Sequence, residues 1–400
     1  MKIVVAYSGG LDTSVMVHWL KARYDAEIIT YTGDLGQGED LDAVRAKALR
    51  TGASFAEVDD LRERFVTEFI WPSLQANALY EGRYPMHTSL GRPLLAQRLC
   101  EVADAHGADA IAHGCTGKGN DQVRFEVAAH CLAPHLKVLA PLRDWELTTR
   151  ESELDYAQTH NIPVPVTKEK PYSIDQNLWG CATECGAMED PWAEPPADAW
   201  QMTADPATAP SGSQVLTLGF TKGVPTHLDG AALDGVTLID RLNTLAGRYG
   251  IGRTDMIENR VVGLKSREVY ENPAAAVLVA AHRELEALVL DSATSRYKAR
   301  VAHDFAELIY GGLWFGPLRE ALQAFVNATQ AHVTGEVRVR LSAGSVQIAG
   351  RRSPFTLYDD GLATYSTGDT FDRAAAGGFL QLYGLPYRTW GKVRRGMAGE

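Results

Sequence analysis

Near the amino terminus the chain reads Lys2-Ile-Val-Val-Ala-Tyr-Ser-Gly-Gly-Leu-Asp-Thr-Ser14. An apolar run, a turn with two glycines and an amphipathic segment, in this order, predict a buried strand that leads directly into a helix. The backbone N–H groups of such a turn and the helix amino terminus can surround an anion, for which phosphate is the natural candidate. Ser-Gly-Gly alone is equally typical of an ordinary tight turn. The complete motif at the end of a first strand favours phosphate binding.

The alternation of short apolar runs with amphipathic stretches continues to about Asn161. The pairs that follow the first are Glu27 to Tyr31 with Leu41 to Leu49, and Ala108 to His113 with Val123 to Cys131. This alternation predicts an α/β domain in which helices cover a parallel sheet. Gly52 and Gly107 stand where carboxyl-terminal helix caps belong, and Thr148 to Glu151 reads as a capping box for the next helix.

A domain boundary is predicted at Asn161-Ile-Pro-Val-Pro165, because closely spaced prolines fit neither a helix interior nor a central strand. Beyond it, the proline-rich acidic stretch Pro191 to Pro210 is expected to form a loop. The rest reads as α+β. Strands are expected at Gln214 to Phe220, Glu336 to Leu341 and Ser345 to Ala349. Helices are expected to begin at Asn272-Pro273 and at Pro317.

The carboxyl-terminal tail is too short to bury a core of its own. It has an amphipathic segment around Thr370 to Leu382 and a basic end with Arg388, Lys392, Arg394 and Arg395. We therefore expect the tail to pack on another subunit. The predicted division is a nucleotide-binding α/β domain over residues 1–165, a substrate-binding α+β domain over residues 166–361 and an oligomerisation tail over residues 362–400.

The composition is that of an ordinary globular protein, with 400 residues of which 45% are hydrophobic. Because 39 basic side chains face 50 acidic ones, the formal charge is -11, which argues against a general nucleic-acid binder. The sequence has neither a run of about 18 apolar residues nor a signal-peptide core, so we expect a cytoplasmic protein without a membrane partner. Five cysteines, an odd number, predict reduced thiols.

A second polar loop, His113-Gly-Cys-Thr-Gly-Lys-Gly-Asn-Asp121, follows the buried run Ala108 to Ala112. It departs from a Walker A loop, because Lys118 is followed by glycine where a hydroxyl should bind magnesium. Open parallel sheets bind ligands at the carboxyl ends of their strands, so this loop and the Ser-Gly-Gly loop are expected to face one crevice. The segment Tyr31-Thr-Gly-Asp-Leu-Gly36 follows the second strand at the same edge and is expected to line the binding site for the base of a nucleotide.

Two further segments carry side chains that suit a small polar ligand. The first is Glu81 to Ser89, although its Tyr84 is as typical of a half-buried packing position as of a ligand contact. The second is Lys168 to Ser173, which lies just past the predicted boundary, where interdomain sites form. Cys181 and Cys185 have no nearby histidine and the wrong spacing for zinc, so no metal site is predicted there. The 11 histidines are scattered, and each is more typical of a structural role.

Together these segments resemble the argininosuccinate synthase family of N-type ATP pyrophosphatases. The Ser-Gly-Gly motif by itself fits the whole group, which includes GMP, NAD and asparagine synthetases and tRNA thiolases. The resemblance runs from Lys2 to about Tyr387. The segments that carry it are Ala6 to Ser14, Tyr84 with Ser89, Gly114 to Glu126, Lys168 to Ile174, and Glu258-Asn-Arg with Lys265 to Tyr270.

This resemblance implies an ATP-dependent ligase that joins citrulline and aspartate to argininosuccinate and releases AMP and pyrophosphate. The expected intermediate is a citrullyl-adenylate, because a ureido carbon is a poor electrophile until its oxygen carries a good leaving group. ATP is then a substrate that brings its own magnesium ion, and the ligase belongs to arginine biosynthesis and the urea cycle. A cytoplasmic homotetramer is implied as well.

The same resemblance implies roles for individual residues. The expected ATP contacts are Ala6, Tyr7, Ser8, Gly9, Gly10, Leu11, Asp12, Thr13, Ser14, Gly33 and Gly114. Aspartate is expected at Thr116, Asn120 and Asp121. Citrulline is expected at Tyr84, Ser89, Asn120, Arg124, Ser173, Glu258 and Tyr270. The catalytic assignments are Asp12, Thr116, Asp121 and Arg124, and no residue is assigned as a general base.

Some positions depart from the family pattern. Ala182 stands where the family directs a serine at citrulline, and Gly33 and His87 replace the more usual alanine and glycine. Two other functions remain open at this point: a tRNA thiolase of the same group, and a nucleotide-binding module without catalysis. A thiolase would need a basic face and catalytic cysteines. A mere ATP binder would not need Asp121, Arg124 or Glu258.

Overall fold

The computed structural model describes residues 1–163 and 172–397. The start of the segment Lys168 to Ser173 and the expected boundary between residues 165 and 166 lie outside the described residues. Contacts divide the chain into two compact units, one ending at Phe355 and one beginning at Thr356. Across the described ranges, no helix is both long enough and apolar enough to cross a membrane.

The strands of residues 1–163 form a five-stranded parallel sheet. They are β1 (Lys2–Ala6), β2 (Glu27–Asp34), β3 (Phe55–Asp60), β4 (Ala110–Ala112) and β5 (Lys137–Leu139). The order β3-β2-β1-β4-β5 places β1 between β2 and β4, so the loops after β1 and β4 leave adjacent strands at the same edge. This confirms the predicted α/β sheet. Its topology reverses at β1, where ligands bind in such folds.

Helices connect these strands: α1 (Leu11–Tyr24), α2 (Leu41–Thr51), α3 (Arg62–Arg64), α4 (Trp71–Ala76), α5 (His87–Ala105), α6 (Asp121–Leu132) and α7 (Arg150–Thr159). Gly52 and Gly107 adopt positive φ after α2 and α5, as predicted. The capping box of α7 is one residue later than predicted, because the hydroxyl of Thr149 accepts from the N–H of Ser152 and Ser152 Oγ accepts in return. Strand β2 also runs longer than predicted, so Gly33 is a strand residue.

Residues 172–355 confirm the predicted α+β character with two antiparallel sheets among the described residues, in the orders β10-β9-β8-β13-β14 and β11-β12-β7-β6. The strands are β6 (Ser173–Asn177), β7 (Gly180–Glu184), β8 (Gln214–Thr221), β9 (Val224–Leu228), β10 (Ala231–Ala232), β11 (Arg253–Asn259), β12 (Lys265–Glu271), β13 (Gly335–Ser342) and β14 (Ser345–Arg352). The helices are α8 (Gly235–Gly247), α9 (Pro273–Val289), α10 (Ser292–Tyr310) and α11 (Pro317–Gln330). Proline opens α9 and α11, where a missing N–H costs nothing. The predicted loop Pro191 to Pro210 contains only short 3₁₀ turns.

Hydrogen bonds from the β6–β7 turn attach the sheet β11-β12-β7-β6 to segments that follow β2 and precede α5. The N–H of Leu178 donates to the carbonyl of Leu35 at 2.8 Å. The indole N–H of Trp179 donates to the carbonyl of Pro85 at 3.1 Å, and its ring is almost completely buried. This attachment brings the antiparallel sheet to the carboxyl ends of β1 and β4.

The second unit is helical, with α12 (Asp360–Ala363), α13 (Arg373–Tyr383) and α14 (Leu385–Met397). The predicted amphipathic segment therefore begins at Arg373, because Asp372 caps the helix by accepting from the N–H groups of Ala374 and Ala375. None of the described side chains in α13 and α14 is buried. Large apolar side chains exposed on these helices are Phe379, Leu380, Leu382, Tyr383, Leu385, Tyr387, Trp390, Val393 and Met397.

Candidate active site

The turn between β1 and α1 presents backbone N–H groups with open hydrogen-bonding capacity. Gly10 is the N-cap residue of α1 and has no side chain, so it caps none of the first N–H groups of the helix. Gly9 has a φ of +75°, a region that glycine enters without a steric penalty. Ser8 Oγ lies 3.2 Å from Thr13 Oγ1, which adds hydroxyl donors beside the turn. The geometry suits an anionic ligand.

Lys47 of α2 adds a positive charge to this turn. Its Nζ donates a hydrogen bond to the carbonyl oxygen of Gly9, and within the described part of the chain no carboxylate lies at ion-pair distance from it. Burial and the nearby Arg50 lower the pKa of Lys47. Lys47 is not among the residues predicted from the sequence, because a single lysine on an amphipathic helix is typical of a solvated face.

A cavity of about 870 Å³ joins this turn to the loop after β4 and to the antiparallel sheet. Most of the predicted site residues line it: Ala6, Tyr7, Ser8, Gly9, Gly10, Thr13, Gly33, Tyr84, Gly114, Thr116, Asn120, Asp121, Arg124, Ser173, Glu258 and Tyr270. Its volume is in the range of small-molecule sites, and its lining is rich in polar and charged side chains, which suits charged ligands. The expectation that the two glycine-rich loops face one crevice is confirmed.

The predicted residues outside the lining are Leu11, Asp12, Ser14 and Ser89. Ser14 is buried against the hydroxyl of Tyr7, 3.1 Å from its Oγ. Ser89 is fully buried in α5, and its Oγ has no hydrogen-bond partner among the described residues. Asp12 lies beside Glu153 of α7, whose pKa is raised to about 8 by burial and by the charge of Asp12. Since α1 begins at Leu11, the backbone N–H groups of Leu11 and Asp12 are still available to a ligand, although their side chains do not line the cavity.

Asp121, at the start of α6, holds two arginine side chains. Its Oδ2 accepts from Arg92 Nε and its Oδ1 accepts from Arg124 Nη1, each at 2.8 Å. Arg92 also donates to Asp175 Oδ2 at 2.5 Å. Burial on its own would raise the pKa of Asp121, but the two guanidinium groups lower it to about 2. Asp121 is therefore ionised at neutral pH, and each of its oxygens already has a cationic partner.

Asn120 joins distant parts of the chain at the cavity. Its Nδ2 donates to the hydroxyl of Tyr310 at 2.8 Å, and its Oδ1 accepts from the N–H of Val261 at 2.9 Å. One amide N–H remains for a ligand. Asn120 therefore has a structural role in addition to its predicted contacts with substrate.

Two tyrosines converge on the buried carboxylate of Glu258. Tyr270 donates to Oε2 at 2.7 Å, and Tyr310 donates to Oε1 at 2.6 Å. The ring of Tyr84 stacks on that of Tyr270, with centroids 3.8 Å apart. A carboxylate whose neighbours are neutral hydroxyls is suited to a ligand cation such as an ammonium group. Tyr310 is also not among the residues predicted from the sequence, because a tyrosine at the end of an amphipathic helix is typical of packing.

Arg260, just after β11, also lines the cavity and contacts two carboxylates. It donates to Glu184 at 2.5 Å and to Glu268 at 2.6 Å. Burial and the neighbouring Glu184 raise the pKa of Glu268 to about 8. Ala182 also lines the cavity, on β7, so the position that departs from the family pattern faces the site.

The cysteines carry free thiols, and burial raises the pKa of Cys181 to about 12. A thiol with a raised pKa is a poor nucleophile at neutral pH, which argues against thiolase chemistry there. In residues 1–163 and 172–397 no three His, Cys, Asp or Glu side chains are grouped so that they could hold a metal ion.

Two family models match this chain. The Arginosuccinate synthase N-terminal HUP domain matches residues 2–163, and the Arginosuccinate synthase C-terminal domain matches residues 172–390. The chain belongs to the argininosuccinate synthase family. Curated members of this family include the argininosuccinate synthase of Chlorobium luteolum, 56% identical over 98% of this chain and 98% of its own. The same enzyme of Chlorobaculum tepidum is also 56% identical, over 98% of each chain.

The solved structures that resemble part of this chain include a protein with low sequence identity. A 4-thiouridine synthetase in complex with RNA and ATP shares 14% identity, over 39% of this chain and 40% of its own, with a TM-score of 0.28.

Proposed function

We propose that this chain joins L-citrulline and L-aspartate to argininosuccinate at the expense of ATP, in arginine biosynthesis. The observation that carries the proposal is that one cavity of about 870 Å³ is lined both by the Ser8–Gly10 turn and by Arg92, Arg124, two tyrosines and Glu258. A nucleotide and an amino acid can meet there without leaving the protein. Membership in the argininosuccinate synthase family supports the same reaction.

In the proposed first step, the ureido oxygen of citrulline attacks the α-phosphorus of ATP and pyrophosphate leaves. In the second step, the aspartate amine attacks the ureido carbon of the citrullyl-adenylate, AMP leaves and the amine loses a proton. The first leaving group is highly anionic. The N–H groups of the Gly9–Gly10 turn, the dipole of α1, Lys47 and the magnesium ion that ATP brings would stabilise it electrostatically.

The proposed residue roles follow the two ends of the cavity. Residues Ala6 to Ser14, Gly33 and Gly114 would hold ATP. Thr116, Asn120 and Asp121 would hold aspartate, and the citrulline contacts would be Tyr84, Ser89, Asn120, Arg124, Ser173, Glu258 and Tyr270. Burial of Ser89 weighs against a direct contact from its hydroxyl, whereas Glu258 is well placed for the citrulline ammonium. Positioning of the reacting groups would supply much of the rate enhancement.

Pyrophosphate release is expected to require citrulline, and argininosuccinate is expected only when aspartate is added. Citrulline labelled with ¹⁸O in its ureido group should transfer the label to AMP, because the ureido oxygen becomes the bridging oxygen of the adenylate. Mass spectrometry of AMP measures this transfer. Equal pyrophosphate release with glutamine or xanthosine monophosphate in place of citrulline would exclude the proposed function.

We also propose that the chain works as a cytoplasmic homotetramer held together through its tail. The support is the row of exposed apolar side chains on α13 and α14, since an apolar surface of this kind marks an association site. Truncation after Gly361 is expected to reduce the mass in solution below that of a tetramer, as measured by light scattering. A milder variant, Leu382→Arg, should weaken assembly in the same direction. A truncated chain that keeps the tetramer mass would show that the tail is dispensable for assembly.

A further inference from the structure

Tyr84 and His87 lie three residues apart, where the chain enters α5, and their side chains are hydrogen-bonded. The hydroxyl of Tyr84 is 3.2 Å from Nδ1 of His87. It also accepts a hydrogen bond from the backbone N–H of Thr88 at 3.3 Å. The tyrosine oxygen therefore satisfies one of the N–H groups at the start of the helix that would otherwise lack a partner. Tyr84 lines the cavity, whereas His87 lies behind it and is completely buried.

The contacts of the imidazole fix which nitrogen carries the proton. Nε2 of His87 lies 3.2 Å from the backbone carbonyl oxygen of Asp175, which can only accept a hydrogen bond, so Nε2 carries the hydrogen. Thr88 Oγ1, 3.1 Å from the same nitrogen, donates its own hydrogen to Asp175 Oδ2 at 3.0 Å and can accept from Nε2 as well. Both neighbours of Nε2 can accept its hydrogen bond, which is consistent with the tautomer that carries the hydrogen on Nε2.

The other ring nitrogen is then an acceptor. Burial lowers the pKa of His87 to about 4, so the ring is neutral at pH 7 and Nδ1 carries a lone pair. Tyr84 must donate its only hydroxyl hydrogen to this lone pair. One lone pair of the tyrosine oxygen takes the N–H of Thr88, and the second lone pair is left for a ligand.

We propose that His87 is a positioning residue that turns the Tyr84 hydroxyl into a hydrogen-bond acceptor toward the amino-acid substrate, so that Tyr84 receives an N–H group of citrulline and does not donate to its carboxylate. This inference rests on the proposed function. Citrulline offers such donors at its α-ammonium and at its ureido group. The neighbouring carboxylate of Glu258 is an acceptor as well, so this wall of the cavity presents acceptors to a donor-rich ligand.

The tautomer is tested on the unaltered protein. With ¹⁵N-labelled histidine, NMR should show His87 as a neutral ring with hydrogen on Nε2, and Tyr84→Phe should shift only the Nδ1 resonance strongly. A ring with hydrogen on Nδ1 would overturn the proposal. This measurement does not depend on catalysis, so a protein without citrulline-dependent pyrophosphate release would refute the proposed function and leave the tautomer result standing.

The consequence for substrate binding is tested with two variants at the same position. His87→Phe removes the acceptor and frees the tyrosine proton, and it should raise the citrulline KM about 10-fold or more with much smaller effects on the KM values of ATP and aspartate. His87→Asn keeps an acceptor near the Nδ1 position and should stay within about 3-fold of the unaltered protein. In the Tyr84→Phe background, His87→Phe should add no further loss, because its effect passes through the tyrosine hydroxyl.

Two controls separate positioning from structure and identify the donor. His282 is equally buried but lies away from the cavity, so His282→Phe should lower stability without a selective change in the citrulline KM. With 5-ureidopentanoate, which lacks the ammonium group, an unchanged effect of His87→Phe assigns the donor to the ureido group and a lost effect assigns it to the ammonium. Equal loss in His87→Phe and His87→Asn, or additive losses with Tyr84→Phe, would overturn the proposal.

Discussion

Asp121→Asn is expected to raise the aspartate KM by about 10- to 150-fold, the range for loss of a hydrogen bond to a charged group, and to leave the ATP KM nearly unchanged. The structure adds a second effect. Asp121 is the carboxylate that holds Arg124, a largely buried side chain, so the variant also leaves this guanidinium without its ionic partner. The citrulline KM should therefore rise as well. Steady-state kinetics with each substrate varied in turn measure the three values.

The same variant should lower the free energy of unfolding by about 2 to 4 kcal/mol at pH 7, because one partner of a partly buried charge pair is lost. This stabilisation depends on pH. The pKa of Asp121 is lowered to about 2 in the folded protein, below the value near 3.9 of an unfolded chain, so the contribution is complete above about pH 5 and fades as the pH falls below 4. In urea denaturation, the difference in free energy of unfolding between the unaltered protein and Asp121→Asn should therefore decrease as the pH falls below about 4.

A matched control for this variant is Asp255→Asn. Asp255 forms an ion pair with Arg267 at 2.6 Å but is not part of the cavity lining. It should leave the three KM values unchanged. If Asp121→Asn changed the KM of ATP as much as that of aspartate, the role assigned to Asp121 would be wrong.

Gly312→Ala is expected to disable the citrulline end of the site although residue 312 touches no proposed ligand. Gly312 follows α10 with a φ of +76°, and a Cβ added there would lie 2.8 Å from the Cα of Arg124. The variant combines a strained backbone with a clash against backbone atoms, which do not yield as a flexible side chain would. We expect a loss of about 2 to 4 kcal/mol in stability and at least a 10-fold fall in kcat/KM for citrulline.

The control for Gly312→Ala isolates the backbone cost. Gly230 has a φ of +81°, and no atom lies within 4 Å of the position that its Cβ would take. Gly230→Ala should therefore cost only about 1 to 2 kcal/mol of stability and leave the kinetics unchanged. Equal effects of the two variants on the citrulline kcat/KM would show that the contact with Arg124 is unimportant.

The parallel sheet and the place of its two glycine-rich loops at one cavity could be predicted from the sequence, because their signals are local. A buried strand followed by glycines and hydroxyls, as at Ser8 to Ser14, predicts a strand that leads through a tight turn into a helix. Where two neighbouring residues could both cap a helix, the predicted start of the helix is wrong by one residue. Thr148 and Thr149 are both good caps, and the reciprocal bond between Thr149 and the hydroxyl of Ser152 decides between them.

Other parts of the site could not be predicted, because they depend on contacts between distant segments. Arg92 reaches Asp121 across 29 positions and Asp175 across 83. Nothing in the sequence around Arg92 distinguishes it from a surface arginine. Burial of Ser89 on the inner side of α5 depends in the same way on how that helix packs.

The wide spacing of the contacting residues has a consequence for the newly synthesised chain. The parallel sheet is complete by Leu139, but Asn120 meets Tyr310, which is 190 positions further along. At a synthesis rate of about 5 to 20 residues per second, the nucleotide loops precede their partner by roughly 10 to 40 s. During that interval Asn120 and Arg124 of the ribosome-bound chain lack Tyr310, with which both form hydrogen bonds in the complete fold. The proposed amino-acid half of the site can therefore fold only after Tyr310 has been synthesised, later than the parallel sheet.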